Sequence, residues 1–234
     1  MKRNISVIHA QTSPQKLMAY QLRYQVLKDT GYDLAQVSQK MNLEEEEDKT
    51  ARILVAMNND VPVGTLTLDW WKHTEIPPEK IAGFQFQTFE KAFSKHSVFL
   101  IRKTVVLPGY RGSEAFWNLI VAISAFILTK PGPHFIFLDC AHELSAFYHK
   151  LGFRNYAPAF VYPDGSISEP MCAVMEDMEY FSKNRSMLRY VAFTHQIKHE
   201  QNVADFFERY WPGDAEQLSN KLSGAGKAKT LMAV

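Results

Sequence analysis

The sequence predicts an α/β fold: a mixed central sheet with helices on both faces, followed by a C-terminal helical extension. Three observations predict it. Short β-branched runs alternate with helix-like segments along the chain. The stretch Phe116–Leu128 (FWNLIVAISAFIL) is apolar almost all the way round a helix, as in a helix buried between layers. Turn-forming clusters at Asn58-Asn59-Asp60, Pro131-Gly132-Pro133 and Pro163-Asp164-Gly165 fall between apolar runs, where elements change over.

The elements follow in order. Ile5–His9 reads as a strand. Ser13 is expected to cap the next helix, with Pro14 at its first position. Met18, Leu22 and Val26 then recur every four residues, and Gly31 is expected to end the helix. Thr50–Met57 and Pro62–Trp71 read as a hairpin across Asn58-Asn59-Asp60. The carboxylate run Glu44–Asp48 before it is expected to be a solvated loop. Pro77-Pro78 interrupts the chain, and the aromatic-rich stretch Phe84–Phe93 stays open between helix and strand. His96–Leu107 is a β-branched strand on which Arg102 and Lys103 should point to opposite faces. Ser113–Thr129 is the apolar helix, Phe135–Asp139 a buried strand, His142–Leu151 a helix closed by Gly152, and Phe153–Met175 a hairpin. Met187–Tyr210 is expected to be helical up to Trp211-Pro212-Gly213, and the tail from Ser223 to be mobile. The organisation expected is one domain over 1–177, a helical extension over 178–222 and a tail over 223–234.

Composition excludes several classes. The chain has 234 residues, with 26 Lys+Arg against 25 Asp+Glu and a formal charge of +1. That balance offers no global attraction to nucleic acid or an anionic membrane. Two cysteines, Cys140 and Cys172, build neither a disulfide framework nor a four-ligand zinc site. Phe116–Leu128 is shorter than the roughly 20 apolar residues of a membrane span, and the first twenty residues lack the apolar core of a signal peptide. The expectation is a soluble cytoplasmic protein with no metal.

Phe99–Trp117 (FLIRKTVVLPGYRGSEAFW) runs from a strand through a Pro-Gly-Tyr-Arg-Gly-Ser turn into a helix that Ser113 can cap. Backbone amides at such a turn, the helix dipole and the Arg111 fork together suit a phosphate or pyrophosphate; a plain surface turn is the alternative. About thirty residues downstream, Phe147–Phe153 reads FYHKLGF.

These two segments, in this order, resemble the GNAT N-acetyltransferase superfamily. Val106–Gly112 matches its V-x-P-x-x-R-G loop and Phe147–Phe153 its FYxKLGF signature, and the resemblance extends over Ile5–Asp177. The helix Tyr20–Leu27 carrying Arg23, and Arg102 on the strand before the turn, are similar to the branch of acyl-homoserine-lactone synthases and long-chain N-acyl amino acid synthases. The resemblance implies an acyl-CoA or acyl carrier protein thioester as co-substrate, and an amine acceptor that is an amino acid or a peptide side chain. It implies an oxyanion donor at the amide of Val105 or Val106, with Arg111, Gly112 and Ser113 around the phosphate. Tyr148 takes the place of the acid that protonates the leaving thiolate, and Arg23 and Arg102 are expected to bind substrate. Two departures, Glu114 and Phe116 where the loop usually has small residues, weaken pyrophosphate binding and favour a carrier protein.

The residues themselves leave the base open among Asp139, His142, Glu143 and the Glu44–Asp48 run. Cys140 beside His142 is read as an inert buried thiol rather than a nucleophile. Trp70, Trp71, Phe84, Phe86, Phe89 and Phe93 could line an acyl pocket or form ordinary core. Two rival readings remain: a non-catalytic module that binds a thioester or a partner, and a plain acetyl-CoA acetyltransferase.

Overall fold

The computed structural model describes residues 4–29, 46–87, 94–162 and 165–210. Gly31, Glu44, Glu45, Phe89, Phe93, Pro163, Asp164, the Trp211-Pro212-Gly213 stop and the tail lie outside the described residues. The described residues divide into two compact units, one drawn from 4–75 and 101–126, the other from 76–100 and 127–210.

In the first unit, strand β1 (Ile5–His9) leads into helix α1 (Ser13–Asp29), a one-turn 3-10 helix (Glu46–Lys49) and the hairpin β2 (Arg52–Asn58) and β3 (Val61–Trp70). Strand β4 (Val98–Val106) enters this unit at Ile101 and ends in a 3-10 turn (Pro108–Tyr110) before helix α3 (Glu114–Ile127). The strand order here is β1-β2-β3-β4, with β1 and β3 antiparallel to β2. Alternation along β2 assigns the layers. Ile53, Val55 and Met57 meet Ala19 and Tyr20 of α1 on one face. On the other face, a Cβ added to Gly64, the register partner of Ala56, would lie 3.4 Å from Leu119 of α3, and Arg52 stacks 4.1 Å over Phe126. Helices therefore cover both faces of this part of the sheet.

The cap of α1 differs from the sequence expectation. Thr12, not Ser13, takes the position: its Oγ1 accepts from the Gln15 amide at 3.4 Å, and Gln15 Oε1 accepts from the Thr12 amide at 3.1 Å. This is a capping box, which satisfies two otherwise unpaired helix-end donors reciprocally. Thr12→Ala is expected to cost about 1 kcal/mol, read as a lower urea midpoint with an unchanged slope; no shift would assign the cap elsewhere.

The second unit holds helix α2 (Pro78–Gly83), the first residues of β4, strand β5 (Phe135–Cys140), helix α4 (His142–Leu151), strands β6 (Arg154–Asn155), β7 (Phe160–Val161) and β8 (Ile167–Val174), and helices α5 (Met178–Lys183), α6 (Leu188–Thr194) and α7 (Gln201–Tyr210). Here the order is β4-β5-β8-β6, with β7 paired to β8. β4 runs parallel to β5 over Val98–Leu100, while β8 is antiparallel to β5, which makes the sheet mixed. α4 ends at Gly152, whose φ of 119° is left-handed and whose amide bonds to the carbonyls of Tyr148 and His149. Phe84 and Phe86, 1% and 0% exposed, stack on each other and pack against Phe137 in the core.

A buried polar bracket stands at the start of β5. Glu176 accepts from the His134 amide (2.9 Å) and bonds its Nδ1 (2.5 Å), while Nε2 meets the Lys130 carbonyl at 2.8 Å. Burial alone would lower the His134 pKa, but the hydrogen bond and charge of Glu176, with the Lys130 carbonyl, outweigh it and raise the pKa. A raised value means the stabilisation is present below the ordinary histidine range and is lost as pH rises through the folded value. His134→Gln should therefore cost more stability at pH 6 than at pH 9 in urea titrations; equal costs would contradict the charged pair.

Candidate functional site

The first unit buries a network of charge. Arg23 on α1, Asp48 in the 3-10 helix, Asp69 on β3 and Arg102 on β4 are 2%, 0%, 1% and 8% exposed. Arg102 donates to Asp69 through Nε (2.6 Å) and Nη2 (3.1 Å), and through Nη2 to Asp48 (2.7 Å). Arg23 donates to the other Asp48 oxygen at 3.3 Å and also to the Thr67 hydroxyl. Asp48 thus bridges two guanidinium groups, and Arg102 bridges two carboxylates. Fixed forks on buried carboxylates are the geometry in which such charges are tolerated away from water.

Two sequence expectations change here. Asp48 is not part of a solvated loop: desolvation of its carboxylate is offset by the cations gathered round it. Nor do Arg102 and Lys103 point apart, because Lys103 Nζ also lies 3.8 Å from Asp48 Oδ2. The cause is the Lys103 backbone, whose φ of 52° in mid-strand breaks the two-residue alternation.

The turn after β4 has the strand–turn–helix form. Gly112 takes a left-handed φ of 70°, and a Cβ there would meet nothing within 4 Å. Ser113 caps α3, its Oγ accepting from the Ala115 amide at 3.2 Å. The amides of Arg111 and Ser113 bond to the carbonyls of Pro108 (3.3 Å) and Tyr110 (3.1 Å) inside the turn. Arg111 and Glu114 are exposed, whereas Phe116 is a core residue at 8% exposure, so its ring does not crowd the loop. Glu114 is the departure that remains at the turn. Val105 and Val106 are buried in β4, and the carbonyl of Val105 would lie 3.3 Å from a Cβ on Gly64, so only glycine fits beside it without displacing a neighbour.

In the second unit, the end of β5 and the start of α4 gather ionisable groups. Asp139 accepts from Ser168 Oγ (2.5 Å) and the Tyr162 hydroxyl (3.1 Å); burial pushes its carboxyl above the usual range despite those bonds and the charge of Lys80. Burial, with Glu169, Asp139 and Glu143 nearby, pushes the Cys140 thiol far up, so it remains protonated and poorly nucleophilic. Tyr148 is 2% exposed, and burial followed by Cys140 and Asp139 raises its hydroxyl well above the ordinary value. Its phenol is therefore in the donor form throughout the physiological range. His142, at the first position of α4, bonds through Nδ1 to Glu169 Oε1 at 2.6 Å, and Glu143 beside it is exposed.

The structure thus brings Arg23 and Arg102 together on Asp48, and gathers His142, Glu143 and Tyr148 on α4. Trp70 is half-buried, edge-on to His73 at 4.6 Å, while Phe84 belongs to the Phe86–Phe137 cluster. Asp69, Thr67 and Glu169 were not singled out from the sequence. Asp69 had a signal: a carboxylate inside an apolar strand is costly unless paired.

No protein-family model matches the chain, and no curated protein matches it in sequence. Solved structures do resemble it. FeeM, an N-acyl amino acid synthase from uncultured soil microbes, aligns with a TM-score of 0.60 at 14% identity, covering 81% of this chain and 98% of that one. An acetyltransferase of the GNAT family from Staphylococcus aureus gives 0.50 at 14% identity, over 73% of this chain and 99% of that one. The AHL synthase LasI gives 0.50 at 12% identity, over 73% and 90%. Among the described residues, no helix is long and apolar enough to cross a membrane.

Proposed function

We propose that this chain, which has the GNAT fold, is an N-acyltransferase that moves a medium or long acyl group from a carrier-protein or CoA thioester to an amine. The observation that carries the reading is the V-x-P-x-x-R-G sequence lying on the β4–turn–α3 junction of that fold, with Gly112 left-handed and Ser113 capping. The buried Arg23–Asp48–Arg102–Asp69 network supports the narrower acyl amino acid synthase-like form, since both arginines occupy positions carried by that branch.

In this reading Arg111, Gly112 and Ser113 face the donor's phosphate. Glu114 at the first turn, and the turn amides already bonded to carbonyls, favour a donor with a single phosphate, a carrier protein, over the pyrophosphate of CoA. The acceptor arrives as an ammonium and must lose a proton before it can attack. Its nitrogen then adds to the thioester carbonyl, and the amide of Val105 or Val106 stabilises the oxyanion. As the tetrahedral centre collapses, the carbon–sulfur bond breaks, the nitrogen loses its second proton, and Tyr148 protonates the sulfur. One proton is released overall. Trp70, half-buried, serves the acyl chain or the acceptor, whereas Phe84 is core rather than pocket lining. Arg23 and Arg102, engaged with Asp48 and Asp69, shape the acceptor's surroundings. The protein works in the cytoplasm, where carrier-protein thioesters are made.

The test is incubation with thioesters of graded chain length on CoA and on a carrier protein, with a mixed amine pool and mass spectrometry of the products. A new acyl amide supports the reading and identifies donor, length and acceptor together. Thioester bound but never consumed favours a non-catalytic binding module; turnover of acetyl-CoA alone favours a plain acetyltransferase.

A further inference from the structure

Three histidine–carboxylate pairs are seen among the described residues. His134–Glu176 is buried on both sides, 5% and 5% exposed, and its second ring nitrogen bonds to a backbone carbonyl. His199–Glu179 is 3.9 Å apart with a carboxylate that is 77% exposed. The pair on α4 and β8 is different. Glu169 is 7% exposed while the His142 side chain is 63% exposed, and the two are 2.6 Å apart. The second oxygen of Glu169 accepts from Asn155 Nδ2 at 2.9 Å. Glu169 sits on β8 opposite Cys140 and Asn155 on β6, so both are fixed by the sheet rather than by loops.

An ionised carboxylate only accepts, so Glu169 requires the hydrogen on Nδ1 of His142. The neutral ring therefore carries its lone pair on Nε2, on an imidazole open to solvent. A buried carboxylate that sets tautomer and ring orientation, and is itself held by a third group, is the arrangement that prepares a histidine to take a proton. It stands at the carboxyl end of β5, where α/β sheets place their chemistry.

We infer that His142 is the general base of the proposed acyl transfer, oriented by Glu169, with Asn155 as a second positioning residue. The inference rests on the proposed N-acyltransferase reading and names the base that the sequence leaves open. Nε2 of His142 takes the proton of the acceptor's ammonium; the imidazolium, stabilised by Glu169, returns it to solvent through the exposed face of the ring. The other charged groups around this strand end are Asp139 on β5 and Glu143 on α4, with Lys80 acting on Asp139. Cys140 stays a neutral thiol among them.

The test is the pH profile of kcat/KM for amide formation by the full chain, with the donor and acceptor that the product survey identifies. His142→Gln is expected to lower the rate on the order of 10²- to 10⁴-fold and to abolish the ascending limb. Glu169→Gln should lower kcat by a smaller factor with KM unchanged, because the ring loses the carboxylate that fixes its tautomer and orientation. Asn155→Ala should have a still smaller effect in the same direction. A purely structural pair would lower the amount of folded protein without lowering kcat per folded chain. His142→Gln with the wild-type rate and profile overturns the assignment while leaving acyl transfer in place. A wild-type chain that acylates no amine overturns the enzyme reading and the base with it.

Discussion

An Asp48→Ala protein is expected to be less stable by about 3–5 kcal/mol, the cost of removing one partner from a buried ion pair. Asp48 is 0% exposed and accepts from both Arg23 and Arg102, with Lys103 at 3.8 Å. Removing it leaves three like charges close together without the carboxylate they share, although Arg102 keeps Asp69. Against a total stability of about 5–15 kcal/mol, that is a large fraction. The check is urea unfolding at neutral pH. Asp48→Leu combined with Arg23→Met should recover most of the loss, because a buried pair replaced by apolar groups of similar size is often neutral. A single-variant loss below about 1 kcal/mol, on the scale of an exposed pair, would mean that water reaches this network.

Gly152→Ala is the second large effect, for a different reason. The residue has a φ of 119°, and an added Cβ would run into Ser186 Oγ and lie 3.0 Å from Phe181 Cε1. Ser186 cannot simply give way: it is 0% exposed, its hydroxyl donates to the Leu151 carbonyl at 2.5 Å, and it accepts from the Leu188 amide at 3.2 Å. The substitution combines left-handed strain with the loss of a buried hydrogen-bonded contact, about 3 kcal/mol or more together. Thermal and urea unfolding should both show it, and Ser186→Ala in the same chain should relieve only part. A Gly152→Ala protein as stable as the parent would mean that the α4 terminus can rebuild around a side chain.

What the sequence discloses divides by the range of the interaction. Gly152 was legible as a helix end because the requirement is local: a left-handed residue after a helical run. The hairpin at Asn59-Asp60 and the cap at Ser113 were legible for the same reason. The Thr12 cap was missed although its signal was equally local; Gln15, three residues on, distinguishes Thr12 from Ser13. Asp48 was not legible, because four glutamates precede it and only tertiary partners decide which carboxylate is buried. Glu169 was hidden similarly: it meets His142 across two strands, 27 positions away in the chain. The V-x-P-x-x-R-G and FYHKLGF segments were readable as strings, yet neither predicts that the amides of Arg111 and Ser113 bond to carbonyls inside the turn.

Lys103 makes β4 a strand whose parity changes partway along. Before it, odd and even positions sort into two faces; after it, the sorting restarts, because one left-handed residue re-aims the rest of the strand. For anyone aligning or redesigning this segment, position 103 therefore acts as a spacer whose presence counts before its chemistry does. Lys103→Gly preserves the count and relieves the backbone, at the loss of one charge near Asp48. Deleting it restores a uniform pleat and turns Val105 and Val106 toward the opposite side. Gap placement in β4 is thus a structural decision, and an alignment that slides Val106-Leu107-Pro108 by one residue to gain an identity would describe a differently facing strand.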